Sequence, residues 1–583
     1  MRGKKGNKRL LRVLVLGALL STTYIGGAMA ADYPLTGDTI EGNYDLPAGN
    51  ILYRLDGEQK VTALSDVTIS SQSTENASSI IIYSGKSENS SLDLDMNGHS
   101  LAIDAKSAGI YITKDNTNIN FHNADTIEST VDRHNLVIAT RGNGSTINYE
   151  ANNITFNKSE VFEDNPMLVV GNKNTLSMHA GNDLVFNNYA RANTLSAYYG
   201  AKIQLEADHN VNFNHTYSDI AAVQGLPILY FANNAEATIT AGNDINFNRN
   251  QYAYLIGLEY GGHAVVTAAG NINFREQVPG YMPVVSAENK ANIQLQAQAI
   301  TGNTQQLVST TYGSQALLKA NEIDWVAEGR DMSAFSEKYP HKTSMLVAYR
   351  GGSKVELQAD KNINLAIGVP HTMLYAESGD ITLNAGDSIY LHSTGTTDER
   401  SQASLRVQNG NINLTAGTIT VENEGATAAY ADYYGNINFN GETLIDGAGI
   451  GAKSLGTGKI NFNGETFIYG VGIGASTESD VDPWAEDLSK ISFNDDVAID
   501  GVETGAEAKY NSDIVFNKGL VINAKDNALY TESAGRIQAL ATDVDKNVKG
   551  NMQALNGQID ILFDTPSSSF TGTTKIQNID KVY

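Results

Sequence analysis

The chain has 583 residues, 40 basic against 65 acidic, and a formal net charge of −25. That charge opposes phosphate backbones and anionic lipid surfaces, so nucleic acid is not an expected partner. Zero cysteine removes thiol nucleophiles, zinc–thiolate sites and iron–sulfur clusters, and a charged fraction of 18% with 54 Gly and only 10 Pro suits a β-rich chain with many turns, not a disordered one.

Residues 1–30 read as a secretory signal peptide. Arg2, Lys4, Lys5, Lys8, Arg9 and Arg12 form a basic start, an apolar run follows from Val13 to Leu20, and Ala28-Met29-Ala30 closes it with a small-x-small cleavage pattern. The apolar run is too short to span a bilayer stably. Cleavage takes six basic residues and no acidic one, leaving 34 against 65 and a mature charge of −31. The absence of cysteine in an exported chain suits passage through a pore unfolded, because no crosslinked loop has to be threaded; a large core also needs no staples. Residues 31–60 are expected to cap the structure that follows.

From 61 to 583 the dominant signal is an irregular repeat. Its clearest copies are Ala180-Gly-Asn-Asp-Leu-Val-Phe-Asn187, Ala241-Gly-Asn-Asp-Ile-Asn-Phe-Asn248 and Ala269-Gly-Asn-Ile-Asn-Phe274. Later copies end at Asn440, Asn463, Asn494 and Asn517. The unit is a small residue, a short turn, then apolar-x-apolar-Asn. Ile and Phe two apart share one side of a strand. A second alternating stretch precedes the turn, as in Ala237–Ala241, and a third links to the next unit, as in Tyr252–Ile256. Helical 3.6-residue periodicity is missing between units, which excludes βαβ crossovers. The expected fold is all-β: a right-handed parallel β-helix (solenoid) with three short strands per coil, each pairing with its counterpart about 4.8 Å along the axis. About 500 residues at about 27 per coil give roughly 18–20 coils. The recurring Asn is expected at a bend, tolerating left-handed φ and stacking its amide into a ladder. Ion binding by these Asn and Asp residues is the alternative, but the Gly-Gly-x-Gly-x-Asp nonapeptide of calcium-binding β-rolls is absent.

Two irregular stretches are expected to protrude as loops: Ala327–Met345, with Phe335, Tyr339, Pro340 and His341, and Gly474–Lys490, with Pro483-Trp484 among acids. The pairs Tyr198-Tyr199 and Tyr433-Tyr434 either stack on sugars or serve as coil-edge residues.

β-Helices also carry polysaccharide-cleaving sites, which need convergent carboxylates. Only Asp495-Asp496 matches any part of such a pattern, and a solvated turn explains it. Asp480, Asp482 and Asp487 lie close in sequence without the order of a calcium cluster. Gly386-Asp387-Ser388 resembles a serine-protease nucleophile for three residues, but Ile389 stands where the oxyanion glycine belongs. The ten His show no His-x-x-x-His pair. No catalytic, cofactor-binding or metal-binding residue is assigned, and no cofactor is expected.

The signal peptide, the acidic cysteine-free body and the Ala-Gly-Asn-Asp-Ile-Asn-Phe-Asn coils together resemble the passenger domain of a classical autotransporter (type V secretion). The resemblance runs over nearly all of 50–583 and rests on repeat style; Ile559–Asp564 and Ser567–Gly572 fit it too. It implies a non-catalytic, adhesin-like protein at the cell surface, outer membrane or outside, with a protein or glycan of a host or neighbouring cell as partner. It also implies an outer-membrane β-barrel translocator, for which residues 540–583 offer no run of long alternating strands. The Asn-Pro-Asn motif of filamentous haemagglutinin-like proteins does not occur. A β-helix polysaccharide lyase or hydrolase, and a purely structural envelope protein, are the competing expectations.

Overall fold

The computed structural model describes residues 37–577, apart from 73–79, 86, 107, 133–134, 160–164, 191, 217–225, 251–253, 277–281, 328–343, 371, 395–402 and 480–487. The expected signal peptide, the start of the expected cap, most of Ala327–Met345 and 480–487 of the second expected loop therefore lie outside the described residues, while the start of that second loop is instead part of a strand, Ile473–Glu478. Within them every regular element is a β-strand, and the strands stack in parallel as a β-solenoid of about 17 turns. The count falls below 18–20 because many coils exceed 27 residues: laddered side chains one coil apart are separated by 23 residues at Asn438 and Asn461 but by 40 at Asp324 and Asn364. Parallel pairing already begins inside 31–60, where Thr39–Leu46 pairs with Glu58–Ser71.

The chain divides into two compact units, Met1–Val278 with Ala291–Ile293, and Pro279–Lys290 with Gln294–Tyr583. In the first, a coil runs Lys202–Ala207, Val211–His215 and Leu229–Ala232. Its strands pair in register with Glu236–Ala241, Ile245–Arg249 and Ile256–Glu259 of the next coil. Side chains alternate strictly: in Lys202–Ala207 every second residue is buried. This alternation is why period-2 sequence gives a half-buried wall. Phe213 pairs with Phe247, which pairs with Phe274. Their rings stack with Phe156 and Phe186 into one column at centroid spacings of 5.0–5.6 Å, all fully buried.

In the second unit Phe439, Phe462, Phe493 and Phe516 repeat the device at 4.7–5.0 Å. Phe186, Phe247, Phe439 and Phe462 are all buried and stacked, as the alternation requires. Trp325 takes the inward place in a looser copy; it pairs with Gly302, whose missing side chain leaves room for the indole, and its Nε1–H donates to the Thr304 carbonyl at 2.7 Å.

The Asn expectation splits into two separate facts. In the first unit the Asn after Phe186, Phe213 and Phe247 lies in an extended strand; in the second Asn463, Asn494 and Asn517 follow the strand end, at the corner; both sets ladder. Asn214 donates to Asn187 and Asn248 to Asn214, each at 2.9 Å. In the second unit Asn463, Asn494 and Asn517 each donate at 2.7 Å to the Asn one coil before. The left-handed Asn residues are different ones, such as Asn172, Asn233, Asn289 and Asn409 at the corner after the third strand and Asn97 and Asn123 between the first two strands. Nor is every corner between the first two strands a tight turn. Asn411–Glu424 and Gln315–Ala327 run through it as single strands with a register shift. Where Gly marks the turn, coil contact explains it: a Cβ on Gly242 would sit 2.0 Å from the Asp208 carbonyl oxygen.

Truncating Phe247 to Ala should remove a buried ring that is stacked on both faces. The expected cost is about 3–5 kcal/mol, read as lost hydrogen-exchange protection in Val211–His215 and Asn271–Glu276. An unchanged exchange pattern there would contradict the stacked-core register.

Candidate functional site

Many coils leave their third strand through a corner residue with a left-handed backbone. In the first unit this position is held by Asn172, Tyr199, Asn233 and Tyr260, with φ of 53°, 56°, 54° and 49°. In the second, Asn289, Tyr312, Arg350, Ser378, Asn409 and Tyr433 hold it in turn, and Tyr510, Ser533 and Asn556 do so further on. Backbone bonds lock the column: Lys173 N–H donates to the Tyr199 carbonyl, Gly200 N–H to that of Asn233, and Asn234 N–H to that of Tyr260, at 3.0–3.1 Å. Asn tolerates this geometry because its short polar side chain bonds locally. A bulky side chain does not, and strain of this kind costs on the order of 1–3 kcal/mol per residue. The tyrosines nevertheless remain exposed, Tyr199 to 55% and Tyr260 to 39%.

Around Tyr199 and Tyr260 the outward face of the third strand adds further aromatic surface. Tyr230 pairs with Ser196 on one side and Gly257 on the other. A Cβ on Gly257 would already touch the Tyr230 ring at 3.4 Å, so glycine leaves the ring its place. Tyr198 stands with its centroid 5.6 Å from Tyr230 and 6.4 Å from Tyr199. The Tyr230 hydroxyl donates to the carboxylate of Glu259, the neighbour of Tyr260. Burial pushes the Glu259 carboxyl up, opposed by that hydrogen bond. Burial likewise pushes the Tyr198 phenol up to about 12, and burial with the Glu259 charge raises that of Tyr230. The result is a set of phenol rings beside a carboxyl on the outer wall of the first unit. Such a site offers flat apolar faces and hydrogen-bonding groups together.

The second unit pairs similar groups with one another. The Arg350 guanidinium lies 4.5 Å over the Tyr349 ring and 3.9 Å from Glu377, and the Tyr375 hydroxyl donates to Glu377 at 2.5 Å. Arg406 lies 5.7 Å over the Tyr375 ring. Tyr349 and Tyr375 are buried, so their faces are already engaged. Tyr433 and Tyr434 are exposed at the corner, which answers to the coil-edge reading of that pair.

A buried polar column in the first unit escaped sequence reasoning. Lys158, Asn188, His215, Arg249 and Glu276 pair in order along successive coils and are all buried. Each is the second residue after the stacked Phe, so continued alternation points it inward; that signal was present in the sequence, masked by the habit of placing charge outside. Asn188 receives the Ala190 N–H and donates to the Ala192 carbonyl at 2.7 Å. His215 Nε2 lies 2.8 Å from the Ala190 carbonyl, and Arg249 Nη1 donates to the Tyr254 carbonyl at 2.9 Å. The column thus secures backbone where the chain leaves the second strand. In the second unit Asn423 bonds Ser404 and the Ala426 N–H in the same manner.

The motif candidates resolve into corners. The Asp495 carboxylate takes the Asp496 N–H and pairs with Lys518 at 2.7 Å, and the Lys518 contact lowers its pKa. Asp496 accepts the Gly519 N–H one coil on. Both carboxylates tie coils together, and a lowered pKa is the reverse of what a proton donor needs. In Gly386-Asp387-Ser388 the serine donates to Asn362 at 2.8 Å, and Gly386 abuts the Asp360 carbonyl. Asp480, Asp482, Asp487, Pro483, Trp484, Phe335, Tyr339, Pro340 and His341 lie outside the described residues. Among the described residues, no three His, Asp or Glu side chains are grouped to hold a metal ion.

Comparison with known proteins found no matching family model, no matching curated protein and no matching solved structure.

His215 supplies a test of the buried column. Burial first, and the neighbouring Arg249 charge second, hold its pKa down at about 4, against an ordinary 6.5. The unfolded chain therefore binds the proton first as pH falls. The stabilisation is complete above pH 6.5 and is lost progressively toward pH 4, amounting to on the order of 3 kcal/mol. His215→Gln should flatten this part of the pH–stability profile in denaturant titrations. Parallel profiles for the two proteins would refute the assignment.

Proposed function

We propose that this protein is an exported, non-catalytic bacterial surface protein, adhesin-like and of the autotransporter-passenger type, whose solenoid presents side chains to a host or neighbouring cell. The observation that carries this reading is the set of exposed tyrosines on left-handed corners. Residues in strained backbone point to function when the strain yields no gain in packing. Neighbouring coils show that Asn serves the same corner without strain. Exposed aromatics clustered on a rigid scaffold are the usual anchors of recognition. The secretory signal at 1–30 and the absence of cysteine support export.

The competing reading, a β-helix lyase or hydrolase, draws its support from Glu259, whose raised pKa suits a general acid. Glycoside cleavage by the common routes needs a second carboxyl roughly 5–9.5 Å away. The described cluster brings Tyr198, Tyr199, Tyr230 and Tyr260 together with Glu259, and aromatic faces gathered in this way suit binding.

Expressed with its leader in a Gram-negative host, the chain should begin at Ala31 by mass spectrometry and be digested by protease added to intact cells. Such cells should also attach to epithelial or bacterial layers more than cells carrying an empty vector. A chain that keeps residues 1–30 contradicts export; a processed chain that is protected in intact cells contradicts surface display; surface display without any gain in attachment favours a purely structural envelope protein.

A further inference from the structure

The tyrosine cluster of the first unit has a spacing as well as a chemistry. Tyr199 and Tyr260 occupy the same corner two coils apart, with Asn233 between them, as the chain of backbone bonds from Gly200 to Asn233 and from Asn234 to Tyr260 establishes. At about 4.8 Å per coil the two backbone positions are roughly 10 Å apart along the axis. A single small ring cannot bridge them; an extended chain of rings can. Tyr198 and Tyr230 stand side by side on the wall next to this corner, and the Glu259 carboxylate accepts the Tyr230 hydroxyl there.

Resting on the reading of this protein as a surface-binding scaffold, we infer that Tyr198, Tyr199, Tyr230, Glu259 and Tyr260 form a binding site for a neutral, extended β-linked glycan chain lying along the solenoid axis. Three features select that ligand class. Phenol faces pack on the apolar faces of pyranose rings, and a carboxylate accepts bonds from their hydroxyls. The carboxylate and the chain's net charge of −25 disfavour uronates, sulfated glycans and phosphates. The straight column at two-coil intervals suits a chain that runs straight, as β-linked polymers do, more than one that coils.

The corner geometry gives the experiment an unusual discriminating power. Tyr199→Asn and Tyr260→Asn install the residue that neighbouring coils already use at left-handed φ. A structural role for the tyrosines predicts that the double variant loses stability. A binding role predicts equal or higher thermal stability with weakened binding. The probe is cellohexaose, with polygalacturonate as the anionic control, tested by calorimetry on the purified mature chain. Saturable binding of cellohexaose and not of polygalacturonate is expected, weakened about tenfold or more in the double variant and largely kept in Tyr199→Phe/Tyr260→Phe.

Should the Asn variant unfold, hydrogen exchange on the wild-type protein decides. Cellohexaose should protect amides in 198–201, 230–234 and 259–262, and protection elsewhere overturns the site. No saturable binding, or equal binding by the stable Asn variant, also overturns it. Because the assay uses purified protein, failure here with attachment intact sinks only the glycan site. Failure of export or attachment with cellohexaose binding intact sinks only the surface-protein reading.

Discussion

Parallel in-register stacking is the constraint from which the rest follows. Each strand hydrogen-bonds to the equivalent strand one coil away, so every side chain sits beside its own counterpart. A position in the coil is therefore a column, and a column must be compatible with itself. Apolar rings meet this condition by stacking, as Phe186, Phe213, Phe247 and Phe274 do. Asn meets it because its amide is donor and acceptor at once, so each residue can satisfy both neighbours. Columns of one charge would fail, and the buried polar column of the first unit mixes types, with His215 beside Arg249 and Arg249 beside Glu276.

The same constraint shapes the outer surface. At the corner after the third strand, successive coils at Asn172, Tyr199, Asn233 and Tyr260 take the same left-handed turn, whatever residue occupies it. Backbone bonds between successive corners enforce this, so side-chain identity there is freed from any part in making the turn. Asn, Ser, Arg and Tyr occur at one geometry in the second unit, and what distinguishes them is what their side chains meet, as Arg350 meets Tyr349 and Glu377. This is how a monotonous scaffold acquires local chemistry: the turn is paid for collectively, and single coils vary what they display.

How much of this was legible in the sequence depended on the kind of signal. The Phe column and the Asn ladder were readable because a period of two fixes which side a residue faces, and Ile-Asn-Phe-Asn repeats state that period directly. His215 and Arg249 obey the same arithmetic yet were not read as buried, since composition rules place charge outside and only the three-dimensional loop carbonyls, of Ala190 and Tyr254, explain the exception. The two roles of Asn could not be separated, because φ is not written in residue type. The tyrosine corner was visible only as the pairs Tyr198-Tyr199 and Tyr433-Tyr434; Tyr230 and Glu259 come from later coils at irregular spacing, and only stacking brings them beside Tyr198 and Tyr260. The Asp495-Asp496 and Gly386-Asp387-Ser388 fragments looked chemical because turns reuse the same small polar residues that active sites do.

Coil length has its own consequence. The second strand ends at Asn188 and the third begins at Leu195 in one coil, whereas in the next the corresponding residues are His215 and Leu229. The Leu column nonetheless stays in register, Leu195 opposite Leu229. Closing a longer loop costs only about 0.6 kcal/mol for each doubling of its length, while the stacked columns on either side are unaffected. The junction after the second strand therefore behaves as an insertion cassette. Sequence can be gained or lost there one coil at a time, so that the surface can diversify in length, by natural variation or by grafting a foreign epitope, without renegotiating the scaffold that carries it.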